Sequence, residues 1–111
     1  MTTRKKAVLK KEDDNRVRDY ELVLIVNPEV DEESLENTVS SVSQYITDRG
    51  GTVSDVERWG KKKLAYQLRH FLEGTYMLAR FKMSPSRTRE LEASLQISED
   101  ILKHMLIKLG D

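Results

Sequence analysis

The 111-residue sequence contains no cysteine. That excludes disulfides, thiolate metal sites and cysteine nucleophiles, and it fits a reducing compartment. Two histidines, His70 and His104, are too few for most histidine-based metal sites. No apolar run approaches the roughly 20 residues that cross a bilayer. The longest, Leu22 to Val26, has five. No apolar stretch stands near the start, so no secretory signal is expected. There is no glycine-rich phosphate loop, and the isolated pair Gly50-Gly51 reads as a helix cap. Net charge is missing too, because 19 basic and 19 acidic side chains cancel.

What remains is a chain long enough for one domain with one core. The zero net charge hides an asymmetry. Residues 1–55 carry 8 basic and 12 acidic side chains, and residues 56–111 carry 11 and 7. An anionic partner feels the local field, so a neutral chain can still present a basic patch.

Residues 1–17 open with a basic run (Arg4, Lys5, Lys6, Lys10, Lys11) followed by an acidic one (Glu12, Asp13, Asp14). With no apolar period they are expected to form a flexible charged arm. Residues 18–111 are expected to form a single domain. Tyr20, Leu22, Leu24 and Val26, interleaved with Val23 and Ile25, predict a central strand that Asn27-Pro28 ends. Asp31 reads as a helix N-cap, with Val30 and Leu35 as a hydrophobic staple and Glu32, Glu33 and Glu36 at the positive end of the helix dipole. Leu35, Val39, Val42 and Ile46 form one apolar stripe, and Gly50-Gly51 stops the helix.

Thr52 to Arg69 predicts a long second strand with a bulge at Gly60, and His70 to Gly74 the turn after it. A third strand follows through Tyr76, Leu78, Phe81 and Met83. Ser84-Pro85 opens a second helix with Leu91 and Leu95 on its apolar side. Ile101 to Leu109 is a fourth strand, with Ile101, Met105, Ile107 and Leu109 expected on one face. The order strand, helix, strand, strand, helix, strand is the α+β, ferredoxin-like βαββαβ pattern. It places a four-stranded antiparallel sheet beneath two helices on one face and leaves the other face for a partner. Phe81 and Met83 are among the apolar residues offered for that contact.

Enzymatic signals are sparse. His70 in a turn and His104 in a strand read as structural or solvated histidines. The acids from Glu29 to Glu36 surround a helix start, where capping and dipole effects already favour them. The informative stretch is Arg58 to His70, RWGKKKLAYQLRH, with Arg58, Lys61, Lys62, Lys63 and Arg69 and no acid in thirteen residues. Cations with interleaved Trp59 and Tyr66 suit a nucleic-acid backbone. The competing reading is a solvated edge strand, which lysines protect from wrong pairing, and Trp59 reads as a core or hairpin anchor rather than a base-stacking platform. The third strand lacks the aromatic signature of a sheet-face RNA reader, so contact through basic strand ends, loops and the arm is favoured.

These residues resemble the family of the bacterial small-subunit ribosomal protein numbered six. Arg18-Asp19-Tyr20-Glu21 is similar to its Arg-x-Tyr-Glu opening, and Asn27-Pro28 closes the strand as in the family. Trp59-Gly60-Lys61-Lys62-Lys63-Leu64-Ala65-Tyr66 is similar to its Gly-basic-basic-x-Leu-Ala-Tyr signature. Gly74, Tyr76 and Met83-Ser84-Pro85 continue the match in order over residues 18–109. Gln67 stands where the family usually has proline.

The resemblance implies a structural role without catalysis, cofactor or metal, on the cytoplasmic ribosome. It implies binding to the central domain of small-subunit ribosomal RNA, paired with the neighbouring small-subunit protein numbered eighteen. Lys61, Lys62 and Arg18 match the family's basic positions, while Arg58, Lys63 and Arg69 join them by charge and proximity. The alternative is an acylphosphatase-like enzyme of the same topology. It requires an arginine in a phosphate loop before the first helix, where this chain has the acidic turn Asn27-Pro28-Glu29-Val30-Asp31.

Overall fold

The computed structural model describes residues 16–110, so the arm expected over residues 1–17 lies outside them except for Arg16 and Val17. The chain forms β1 Arg18–Val26, α1 Glu32–Asp48, β2 Thr52–Leu68, β3 Phe71–Met83, α2 Thr88–Gln96 and β4 Ile101–Leu109, with a 3₁₀ turn at Pro85–Arg87 leading into α2. All pairings are antiparallel and the strand order is β2-β3-β1-β4. This is the ferredoxin-like α+β fold expected.

Local chemistry explains the helix ends. Asp31 caps α1 by accepting from the Ser34 amide at 2.8 Å. At the other end the amides of Gly50 and Gly51 donate to Thr47 and Ile46, and Gly50 takes φ 84°. That pairing is the Schellman stop. Tyr45 and Arg49 then tie α1 to α2. The Tyr45 hydroxyl donates to the Glu90 carbonyl at 3.0 Å, and Arg49 lies over the Tyr45 ring while pairing with the Glu90 carboxylate.

The core lies between the helices and one sheet face. Alternate residues of β1, namely Tyr20, Leu22, Leu24 and Val26, pack with Met77, Ala79, Phe81 and Met83 of β3. Leu35, Val42 and Ile46 of α1 and Leu91 and Leu95 of α2 close over them. Phe81 and Met83, offered above for a partner, are therefore core residues. Their register opposite Tyr20 and Arg18 turns them beneath the helices.

Two further expectations are corrected by register. Ile101 does not share a face with Met105, Ile107 and Leu109. Val26 pairs with Ile101 but Ile25 pairs with Lys103, so a bulge reverses the alternation. Ile101 joins the core, and the other three face the open side opposite Val23, Glu21 and Asp19. The turn after β2 is also shorter than His70–Gly74. Leu68 pairs with Phe71, leaving Arg69 and His70 as a two-residue turn. Arg69 adopts φ 57° there without being glycine. Its guanidinium donates to the Glu99 carbonyl at 3.0 Å, a tertiary bond that offsets the left-handed backbone.

The hairpin is also bent. Beyond Lys63 the β2–β3 register shifts, and the tip curls over the open face. The Tyr66 hydroxyl accepts from Lys103 Nζ of β4 at 2.7 Å. Leu64, Tyr66 and Leu68 line an open cleft of about 120 Å³ with Ile25, Tyr76 and Met105. Gly74 permits this packing, because a Cβ there would stand 2.4 Å from Ile25 Cγ2 and 3.4 Å from Leu64 Cδ2. Gly74→Ala is predicted to lower stability by about 1–3 kcal/mol through overpacking. In urea unfolding the midpoint should fall with little change in slope.

Candidate nucleic-acid interface

The basic stretch lies on β2, an edge strand of the sheet. Arg58 pairs with Met77 and Gly60 with Tyr76, so Trp59 is the extra residue of the expected bulge. Gly60 takes φ 82°, a left-handed conformation that glycine permits. After the bulge the lysines alternate. Lys62, opposite Gly74, is on the open face, while Lys61 and Lys63, opposite Thr75 and Glu73, are on the other. All three are exposed, and among the described residues none forms an ion pair. The edge therefore presents three cations that no carboxylate among the described residues pairs with.

The remaining proposed cations are placed differently. Arg58 turns toward α1, where its guanidinium donates to Glu32 at 2.8 Å and to Glu36. It fastens β2 to the first turns of the helix, so these carboxylates serve a cation as well as the helix dipole. Arg69 is engaged by the carbonyls of the α2–β4 connection. Arg18 is half-buried at the opposite end of the sheet, eight rows from Val26 and hence about 26 Å from the Lys61 row. The structure thus brings Arg58, Lys61, Lys62 and Lys63 onto one strand segment and leaves Arg18 apart.

Arg80 was not among the sequence candidates, yet it organises the open face. Its guanidinium donates to Glu57 at 2.6 Å, to Asp55 at 2.8 Å and to Glu21 at 3.1 Å. These contacts raise its pKa further, with the Glu57 bond the largest cause. Glu57 also accepts from Trp59 Nε1 at 2.8 Å, and that bond, followed by Arg80, holds its carboxyl below the usual range. One lone arginine in an apolar strand was the available sequence signal. Its three partners come together only through the cross-strand register.

The open face divides along the sheet. Met105, Ile107 and Leu109 of β4 form an exposed apolar strip beside half-buried Val23 of β1, with Met105 38% and Ile107 45% exposed, while Leu78 of β3 on the same face is buried. The lysine segment lies on β2, the far edge. Three strand spacings, about 14 Å, separate the edges. No set of three or more histidine or carboxylate side chains among the described residues is arranged to hold a metal ion.

Comparison with known proteins gives this arrangement its context. The family model for ribosomal protein S6 matches residues 19–108, from β1 into β4. The chain belongs to the ribosomal protein S6 family. Small ribosomal subunit protein bS6 of Moorella thermoacetica is 40% identical over 95 residues, covering 86% of this chain and 97% of that protein. The bS6 protein of Desulforamulus reducens is 35% identical, covering 86% of this chain and 100% of its own. The crystal structure of 30S ribosomal protein S6 from Thermotoga maritima superposes with a TM-score of 0.79 at 33% identity, over 84% of this chain and 88% of that one. Membership in the S6 family assigns the chain a structural role in the ribosome.

The Arg80 cluster makes a pH prediction. Glu57 releases its proton more readily in the folded than in the unfolded chain. Its stabilising contribution is therefore present above the ordinary glutamate pKa of about 4.3 and is lost as pH falls through the lower folded value. Arg80→Met leaves three carboxylates together without their cation. Its stability deficit against the unmodified protein should be greatest near neutral pH and shrink below about pH 4, where the acids are protonated. Thermal unfolding of both proteins across that range checks this.

Proposed function

We propose that this protein is a non-catalytic scaffold that binds the central domain of small-subunit ribosomal RNA on the cytoplasmic ribosome, together with the neighbouring small-subunit protein numbered eighteen. Residues 18–111 are the binding domain in this reading. The observation that carries it is the set Lys61, Lys62 and Lys63, exposed on an edge strand and free of ion pairs among the described residues. Such cations neutralise phosphates and release counterions. Arg58 and Arg69 act chiefly as internal fasteners that present the strand, because each already has partners. Arg18 supplies a separate contact at the other end of β1.

Three lysines alone support only weak, non-specific affinity, in the range of about 10⁻⁴–10⁻⁶ M at physiological salt. Specific binding therefore depends on a second surface. The exposed apolar strip of Met105, Ile107 and Leu109 on β4, continued by half-buried Val23 of β1, offers it to the protein partner. The acylphosphatase-like reading is disfavoured, because the turn before α1 gathers Glu29, Asp31 and Asp100 where a phosphate would sit.

Replacing Lys61, Lys62 and Lys63 by glutamine should weaken binding to a central-domain RNA fragment. The log–log salt slope should fall by about 0.7 to 0.9 for each phosphate that is no longer neutralised. An unchanged slope contradicts the interface. Ile107→Asp should weaken docking of the protein partner by at least about 1 kcal/mol, as for a buried apolar anchor. The same variant should retain the salt slope of RNA binding, and calorimetric titration separates the two effects.

A further inference from the structure

Trp59 is the chain's only tryptophan and is 44% exposed, so it is not a core anchor. The bulge at Gly60 turns it out of the regular pairing at the outer edge of the sheet. Its indole is nevertheless held. Nε1 donates to Glu57 at 2.8 Å, and Glu57 is itself gripped by Arg80 at 2.6 Å. Lys62 places its ammonium 5.6 Å from the ring centroid. A partly exposed aromatic ring is thus fixed in orientation, with the Lys62 ammonium over one of its faces and two more cations, Lys61 and Lys63, on the same edge-strand segment. We propose that Trp59 and Lys62 form a stacking platform for one unpaired RNA base, the indole meeting the base and the ammonium meeting its phosphate.

The proposal deepens the RNA-binding reading and rests on it. The pieces match what single-stranded RNA requires, an aromatic face for a base and a cationic track for the backbone. Because Arg80 and Glu57 hold the ring before binding, little ordering entropy is lost when the base arrives. Every base offers a π-face, so the platform tolerates sequence and reads accessibility instead. A protein partner is the less favoured occupant. The apolar strip lies toward the opposite edge, while Lys62 adjoins the indole.

The single tryptophan makes the test direct. The full-length protein, with the protein partner present, is titrated with a central-domain RNA fragment. Filter retention reports binding and indole emission reports Trp59. Saturable quenching is expected at the same midpoint as retention. Trp59→Leu should weaken retention about 5- to 150-fold, the range for removal of one stacked base, while leaving the salt slope unchanged. Trp59→Phe should recover most of the binding. Circular dichroism of the leucine variant confirms that it is folded. If wild type and Trp59→Leu bind alike and emission is unmoved, stacking is overturned while the lysine interface stands. Quenching by the protein partner alone, with no further change on adding RNA, assigns Trp59 to the protein contact and overturns the platform. If the unmodified protein retains no RNA, the platform and the RNA-binding reading fail together.

Discussion

Two helices cover one face of a four-stranded sheet, and the rest of the molecule follows from that one-sided burial. Tyr20, Leu22, Leu24 and Val26 must be apolar because α1 and α2 close over them. The intervening residues look the other way, onto a face that no helix covers. There the chain uses different means. Arg80 ties β1, β2 and β3 through Glu21, Asp55 and Glu57, and the curled hairpin lays Leu64 and Tyr66 across Ile25 and Tyr76. A residue's parity along its strand therefore decides whether it serves the core or the surface.

The same geometry separates two surfaces. β2 and β4 are opposite edges, one bearing exposed lysines and the other exposed Met105, Ile107 and Leu109. A polyanion and an apolar protein surface can thus be accommodated at once without competing for area. The cations that lie closest to the fold's own carboxylates, Arg58 and Arg80, are absorbed by them. Lys61, Lys62 and Lys63, carried beyond the Gly60 bulge, form no ion pair among the described residues. Net neutrality is compatible with a nucleic-acid surface for this reason, since the charge is sorted by position rather than by total.

Features whose cause is local were legible in the sequence. Asp31 caps, Gly50-Gly51 stops, Gly60 bulges, and the apolar spacing of α1 buries Leu35, Val42 and Ile46. The lysine run could be located on its strand. What could not be read depends on register between distant segments. The bulge at Ile25 and Val26 sends Met105, Ile107 and Leu109 to the face opposite Ile101. Arg69 closes a two-residue turn because the remote carbonyl of Glu99 rewards a left-handed backbone. Arg58 looked like one more free cation, and only packing of β2 beside α1 gives it to Glu32 and Glu36. The Leu64-Ala65-Tyr66 sequence gains its meaning in the same way, as the segment that folds back over Gly74 and reaches Lys103.

The central claim is that the Lys61–Lys63 segment of β2 is the RNA-facing surface. Amine-reactive labelling read by mass spectrometry tests it most directly, comparing the complex with the protein partner before and after a central-domain RNA fragment is added. The account predicts that Lys61, Lys62 and Lys63 lose reactivity when RNA binds while Lys82, paired with Asp19 at the other end of the sheet, keeps its own. Full reactivity of the three lysines in the RNA-bound complex would contradict it.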